Sequence, residues 1–125
     1  MQPSNEVERV RVAIVDDNTD LADVLAIRLE LEGFESRAFH SAVELLAIRG
    51  SFKPQCVLLD IAMPGMDGLE LAKELRDSNG DDLILLAMTG MDAGDMRIAD
   101  TFNLVDHYFQ KPVSTASILK ILKRL

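Results

Sequence analysis

Cys56-Val57-Leu58-Leu59-Asp60-Ile61-Ala62-Met63-Pro64-Gly65-Met66-Asp67-Gly68 reads as a buried strand that ends at an acid and turns. Cys56–Leu59 is apolar at every position, which suits a strand covered on both faces. Pro64 and Gly65 shape the loop after Asp60. Gly68–Arg76 is then helical in character, with Leu69, Leu71, Ala72 and Leu75 as its apolar residues. A strand buried on both sides and followed at once by a helix points to a layered α/β domain.

The rest of the chain repeats that unit. Upstream, Arg9–Val15 is a β-branched run through Val10, Val12, Ile14 and Val15, and Glu35–Phe39 is a weaker strand. Downstream come Leu83–Met88 and a short His107–Gln110. Between them, Asn18 or Thr19 caps a helix to about Leu31, with Leu21, Val24, Leu25 and Leu29 on one face and Gly33 as its stop. Ser41 caps Ala42–Arg49, which Gly50 follows; Ala93–Asn103 is a weaker helix; Ser114 or Thr115 opens a last one through Ile118, Leu119 and Leu122. Strand and helix alternate five times. Parallel strands need crossovers, so the order predicts a parallel sheet with helices on both faces.

Composition narrows the classes. The 125 residues suit one domain, residues 9–125, behind a polar leader at 1–8. A net charge of −8 argues against direct nucleic-acid binding, which needs clustered Lys and Arg. No apolar run approaches the ~20 residues that span a bilayer. The lone Cys56 excludes an internal disulfide, fits a reducing cytoplasm and reads as a buried small hydrophobe. His40 and His107 lack partners at metal-ligand spacing and read as surface or strand-edge residues.

In open α/β sheets, sites form beyond the carboxyl ends of the strands. Those ends carry Asp16 and Asp17, Asp60, Thr89 and Lys111. Any one of these acids alone could be a helix cap or a solvated charge; the conjunction is harder to dismiss. Three close carboxylates repel one another unless a cation joins them, and oxygen ligands without His or Cys favour a hard ion such as Mg²⁺. A carboxylate can attack phosphorus to form an acyl phosphate while metal and lysine neutralise the phosphoryl oxygens.

The chain resembles the receiver domain of two-component response regulators, single-domain chemotaxis-type regulators included, from about Arg9 to Leu125. The likeness rests on Val15-Asp16-Asp17-Asn18, Val57 to Gly68, Ala87-Met88-Thr89-Gly90 and Gln110-Lys111-Pro112. It implies a flavodoxin-like (βα)5 sandwich with strand order 2-1-3-4-5. It implies Asp60 as phosphoacceptor, Asp17 binding Mg²⁺ directly, Asp16 largely through water, and the Ala62 carbonyl as a further ligand. Lys111 would pair with phosphoryl oxygens; Thr89 would be the switch hydroxyl and Tyr108 the aromatic that turns in behind it. The implied donor is a phosphohistidine of a sensor histidine kinase or phosphotransfer domain. The implied output is an effector read through the fourth helix, fifth strand and fifth helix, with a phosphorylation-dependent homodimer among the assemblies allowed. The resemblance also implies a cis Lys111–Pro112 bond. Such a domain is cytoplasmic and catalyses only its own phosphorylation and dephosphorylation.

Two other classes share part of this residue pattern. A haloacid-dehalogenase-type phosphatase wants a second acid two residues after the nucleophile, where this chain has Ala62. A phosphorylation-independent pseudo-receiver usually lacks part of the acid–lysine set, which is complete here. Two departures from the family pattern, Gly90 after the threonine and Asn103-Leu104-Val105 before the last strand, fall near the output face. Met91 and Ala62 are the positions expected to screen the acyl phosphate from water. A stand-alone regulator and a receiver cut from a larger protein fit the sequence equally.

Overall fold

The run at Cys56 becomes the centre of the sheet because apolar side chains on both of its faces find cover. The computed structural model describes residues 9–61, 68–79, 82–90 and 103–125, the side chains of Arg49 and Asn79 excepted. Its elements are β1 (Arg11–Val15), α1 (Thr19–Leu31), β2 (Glu35–Phe39), α2 (Ala42–Phe52), β3 (Cys56–Asp60), α3 (Gly68–Asn79), β4 (Ile84–Thr89), β5 (His107–Gln110) and α4 (Thr115–Leu122). Every strand pairing is parallel and the order is β2-β1-β3-β4-β5, as the resemblance implied. All five residues of β3 are buried.

Alternation along the strands divides the core between the two faces of the sheet. Val12, Ile14, Cys56, Leu58, Leu86 and Met88 pack under α1 and α4, with Leu25, Leu29, Ile118 and Leu122. Ala13, Val15, Val57, Leu59, Leu85 and Ala87 pack under α2 and α3, with Leu45, Phe52, Leu71 and Leu75. Burying one such large side chain contributes about 1.5–3 kcal/mol, so the two layers hold the strand ends in fixed register. Cys56 is wholly buried within the first of them.

Local signals set most helix ends. Asn18 is extended at φ −77° and ψ 96°, and its Oδ1 accepts the Leu21 N–H at 3.2 Å. Gly33 takes φ +99°, a left-handed turn that costs glycine nothing, and its N–H closes on the Glu30 carbonyl. Ser41 accepts the Glu44 N–H, while Glu44 accepts from the His40 N–H, a reciprocal cap. Ser114 caps α4 through the Ser117 N–H.

Several bounds differ from expectation. β1 begins at Arg11 rather than Arg9, β3 includes Asp60, and β4 is shifted one residue to Ile84–Thr89. Helix α2 passes through Gly50 and ends at Phe52, because Phe52 is buried and packs on Phe39 with ring centroids 6.2 Å apart. The Arg37 guanidinium carbon lies over the Phe52 ring, 4.6 Å from its centroid. That packing outweighs one glycine in a helix. Helix α3 continues past Arg76 to Asn79, with no breaker in sequence before Gly80. The leader at 1–8 and the expected helix up to 102 lie outside the described residues; Asn103 and Leu104 form a turn.

Candidate functional site

Register alone brings the chemistry together. Val15 pairs with Leu59, so Asp16 and Asp60 are the next residues on neighbouring strands. Asp60 pairs with Met88, and Thr89 follows it; Thr89 pairs with Gln110, and Lys111 follows that. The Asp16 N–H donates to the Phe39 carbonyl at 3.0 Å and the Lys111 N–H to the Thr89 carbonyl at 2.7 Å, extending the ladders past the strand ends. Lys111–Pro112 is a cis peptide, as the resemblance implied.

The side chains converge. Asp16, Asp60 and Thr89 are buried, whereas Asp17 is exposed at the rim. Lys111 Nζ lies 2.8 Å from Asp16 Oδ2 and 3.1 Å from Asp60 Oδ2, bridging the two buried acids. The Asn18 N–H donates to Asp16 Oδ1 at 2.9 Å, which turns the other oxygen inward. Apart from the Lys111 ammonium 2.8 Å away, that Oδ2 has no hydrogen-bond partner among the described residues. Burial works against the charge on Lys111, but its bonds to Asp16 and Asp60 and their charges outweigh it and raise its pKa. The lysine is therefore a fixed cation at neutral pH.

The donor set fits a hard divalent cation. One oxygen from each of Asp16, Asp17 and Asp60 lies within 4.8 Å of the others. Three carboxylates against one ammonium leave two negative charges in the ionised cluster, which a divalent ion would balance. Among the described residues the buried Asp16 Oδ2 meets the Lys111 ammonium alone, which leaves it lone-pair capacity for such a partner. Ala62 and Met91 lie outside the described residues. A groove of about 380 Å³ between α1 and α4, lined by Arg28, Leu31, Glu32, Thr115, Ala116 and Leu119, includes none of the acids.

Tyr108 is half-buried and pairs with Ala87. Ala87 and Thr89 share one face of β4, so Tyr108 is a diagonal neighbour of Thr89 on that face. It packs there with Leu104 and Val105 against the α2 and α3 layer. Gly90 is exposed, and a Cβ there would touch nothing within 4 Å. His40 is a surface residue as expected, but it has a partner in Asp23, 3.0 Å from its Nε2.

Two features escaped the sequence reading. Arg76 of α3 donates to the Leu83 carbonyl at 2.7 Å, to the Leu104 carbonyl at 2.7 and 3.1 Å, and to Asp106 Oδ2 at 3.2 Å. Asp106 Oδ2 also accepts the Leu85 N–H at 2.8 Å, so one arginine ties α3 to the starts of both β4 and β5. No local pattern signals such a long-range clamp. The second is Gly68, which begins α3 with its N–H on the Ile61 carbonyl at 2.9 Å, directly against the end of β3. A glycine opening a helix was its one available sign.

Residues 12–123 match the family model for the response regulator receiver domain. Response regulator MprA of Mycobacterium bovis (strain BCG / Pasteur 1173P2) is 34% identical over 116 residues, covering 93% of this chain and 50% of the relative. The chain thus spans about half the length of the curated relatives it matches. Among solved structures, a CheY-like response regulator receiver domain protein from Methanospirillum hungatei superposes with a TM-score of 0.85 at 29% identity, over 94% of this chain and 93% of that one. Response regulator TrrA of Thermotoga maritima, solved in complex with Mg²⁺-BeF, gives a TM-score of 0.78 at 27% identity, over 91% and 96%.

Proposed function

Because the chain belongs to the response regulator receiver domain family, we propose that Asp60 accepts a phosphoryl group from a phosphohistidine in a Mg²⁺-dependent reaction that switches the domain's output face. The observation that carries this reading is Lys111 Nζ bridging Asp16 and Asp60 beside a third carboxylate, Asp17. The Mg²⁺-BeF complex of the similar TrrA supports it.

In the proposed transfer an Asp60 oxygen attacks phosphorus. The new O–P bond forms as the N–P bond of the phosphohistidine breaks, and the electron pair leaves on the imidazole nitrogen, which takes a proton from solvent. Asp17, Asp16 and Asp60 would hold the metal, with the Ala62 carbonyl as a further ligand. The bound ion supplies charge neutralisation for the acids and the transferring oxygens. Lys111 shifts its bond from Asp60 to a phosphoryl oxygen, where its raised pKa keeps it charged. Burial of Asp60 limits access of water to the acyl phosphate. Thr89 then hydrogen-bonds the new group and vacates space for Tyr108, its neighbour on the same sheet face.

The donor is a sensor histidine kinase or histidine phosphotransfer domain, and the reader is an effector at the face containing β5 and α4. The domain catalyses only its own phosphorylation and dephosphorylation. The setting is cytoplasmic; among the described residues no helix is long and apolar enough to cross a membrane. Incubation with acetyl phosphate and Mg²⁺ should add one phosphoryl group by intact mass, and Asp60→Asn should abolish the addition. Equal labelling of Asp60→Asn, or none of the parent chain with any small phosphodonor, would sink the reading.

A further inference from the structure

Gly68 has no side chain to offer the chemistry, yet it stands against the backbone of the proposed phosphoacceptor. A Cβ built on it would overlap the Asp60 carbonyl oxygen and the Ile61 Cα, well inside contact. Glycine is a poor helix former, so helix preference does not explain its place at the start of α3. On the other side the same peptide is held by β4, where Asp60 pairs with Met88 and the Ile61 N–H donates to the Met88 carbonyl at 2.9 Å. The Asp60–Ile61 peptide is thus clamped between a strand and a bare glycine backbone.

We propose that Gly68 is a positioning residue that sets where the Asp60 carboxylate stands, by letting the start of α3 press directly on the Asp60 carbonyl. The proposal rests on the reading of Asp60 as phosphoacceptor. A methyl group at position 68 must displace either the first turn of α3 or the Asp60–Ile61 peptide. Met88 holds the far side, so the peptide tilts, and the tilt swings the Asp60 side chain out of line with Asp16 and Lys111. The Lys111 Nζ to Asp60 distance of 3.1 Å is already near the long end of the hydrogen-bond range. The site has little slack.

The test is Gly68→Ala in a Gly50→Ala background. Gly50 lies within α2 with open space where a Cβ would sit, so alanine there favours the helix and helps keep the chain folded. Leu75→Val, two turns along α3 from Gly68 and buried, serves as the control for lost packing. Two quantities are read: the Mg²⁺ dissociation constant by NMR titration, and the Asp60 carboxyl ¹³C signal of the metal-free protein, assigned by its loss in Asp60→Asn. Gly68→Ala should weaken Mg²⁺ about tenfold, the scale of lost outer support at a metal site, and shift the carboxyl signal. Leu75→Val should lower stability and change neither.

Unchanged affinity and carboxyl signal in a folded Gly68→Ala chain would overturn the proposal. Equal weakening by Leu75→Val would do the same, and so would a Gly68→Ala chain that no longer folds, since either assigns Gly68 to the fold alone. If the parent chain takes no phosphoryl group from acetyl phosphate, the functional reading fails, while the carboxyl signal still decides whether Gly68 positions Asp60.

Discussion

Lys111 has its ammonium against two acids; burial opposes the charge, and Asp16 and Asp60 together overcome that opposition. His40 shows the exposed version of the same physics. Its hydrogen bond to Asp23 raises its pKa above 6.5 against the opposing desolvation, with smaller help from the charges of Asp23 on α1 and Glu44 on α2. A raised folded value means that the pair's contribution to stability is full below pH 6.5 and is lost as pH rises through the folded pKa. Both partners are exposed, so the effect is screened by salt. An NMR titration should find the His40 midpoint above 6.5, moving down toward it in Asp23→Asn and at high salt. A midpoint insensitive to Asp23→Asn would show that the 3.0 Å contact does not persist in solution.

Elements are joined by contacts that no local pattern encodes. Strand β5 has four residues, lies at the sheet edge and has no fully buried side chain, so it relies on attachments at its ends. Arg76 provides the attachment at its start through Leu104 and Asp106, and the Lys111 N–H provides the one at its finish. Arg76→Ala should cost about 2–3 kcal/mol in urea unfolding, since it leaves the half-buried Leu83 and Leu104 carbonyls without their charged donor. Amide exchange at His107–Gln110 should speed up more than in β1. A uniform change across the sheet would contradict a clamp specific to β5. Helix α2 carries the matching lesson: the sequence placed its end at Arg49, before Gly50, but burial of Phe52 beside Phe39 lies beyond the reach of helix propensity.

Across the whole molecule, all strands run parallel but the order of winding reverses at β1, with β2 on one side of it and β3 on the other, and the acids gather at the crevice this creates beyond the strand ends. Central β3 is sealed by both layers, and burial pushes the Cys56 thiol pKa up to about 12. Its reaction with a thiol reagent at neutral pH should therefore require opening of the sheet, with a rate that follows stability as urea is added. Rapid labelling of the native chain would mean that the two layers part locally around β3. The sequence by itself determined the alternation of strand and helix, the caps to within one residue (Asn18 or Thr19, Ser114 or Thr115), and the acids, threonine and lysine at the strand ends, because periodicity and end position are local properties. Only the tertiary structure decided the ion pairs of Lys111, the burial of Asp16 beside an exposed Asp17, the Arg76 clamp and the press of Gly68 on Asp60. Those depend on which strands lie side by side and on how closely two backbones approach, distances that no stretch of sequence carries.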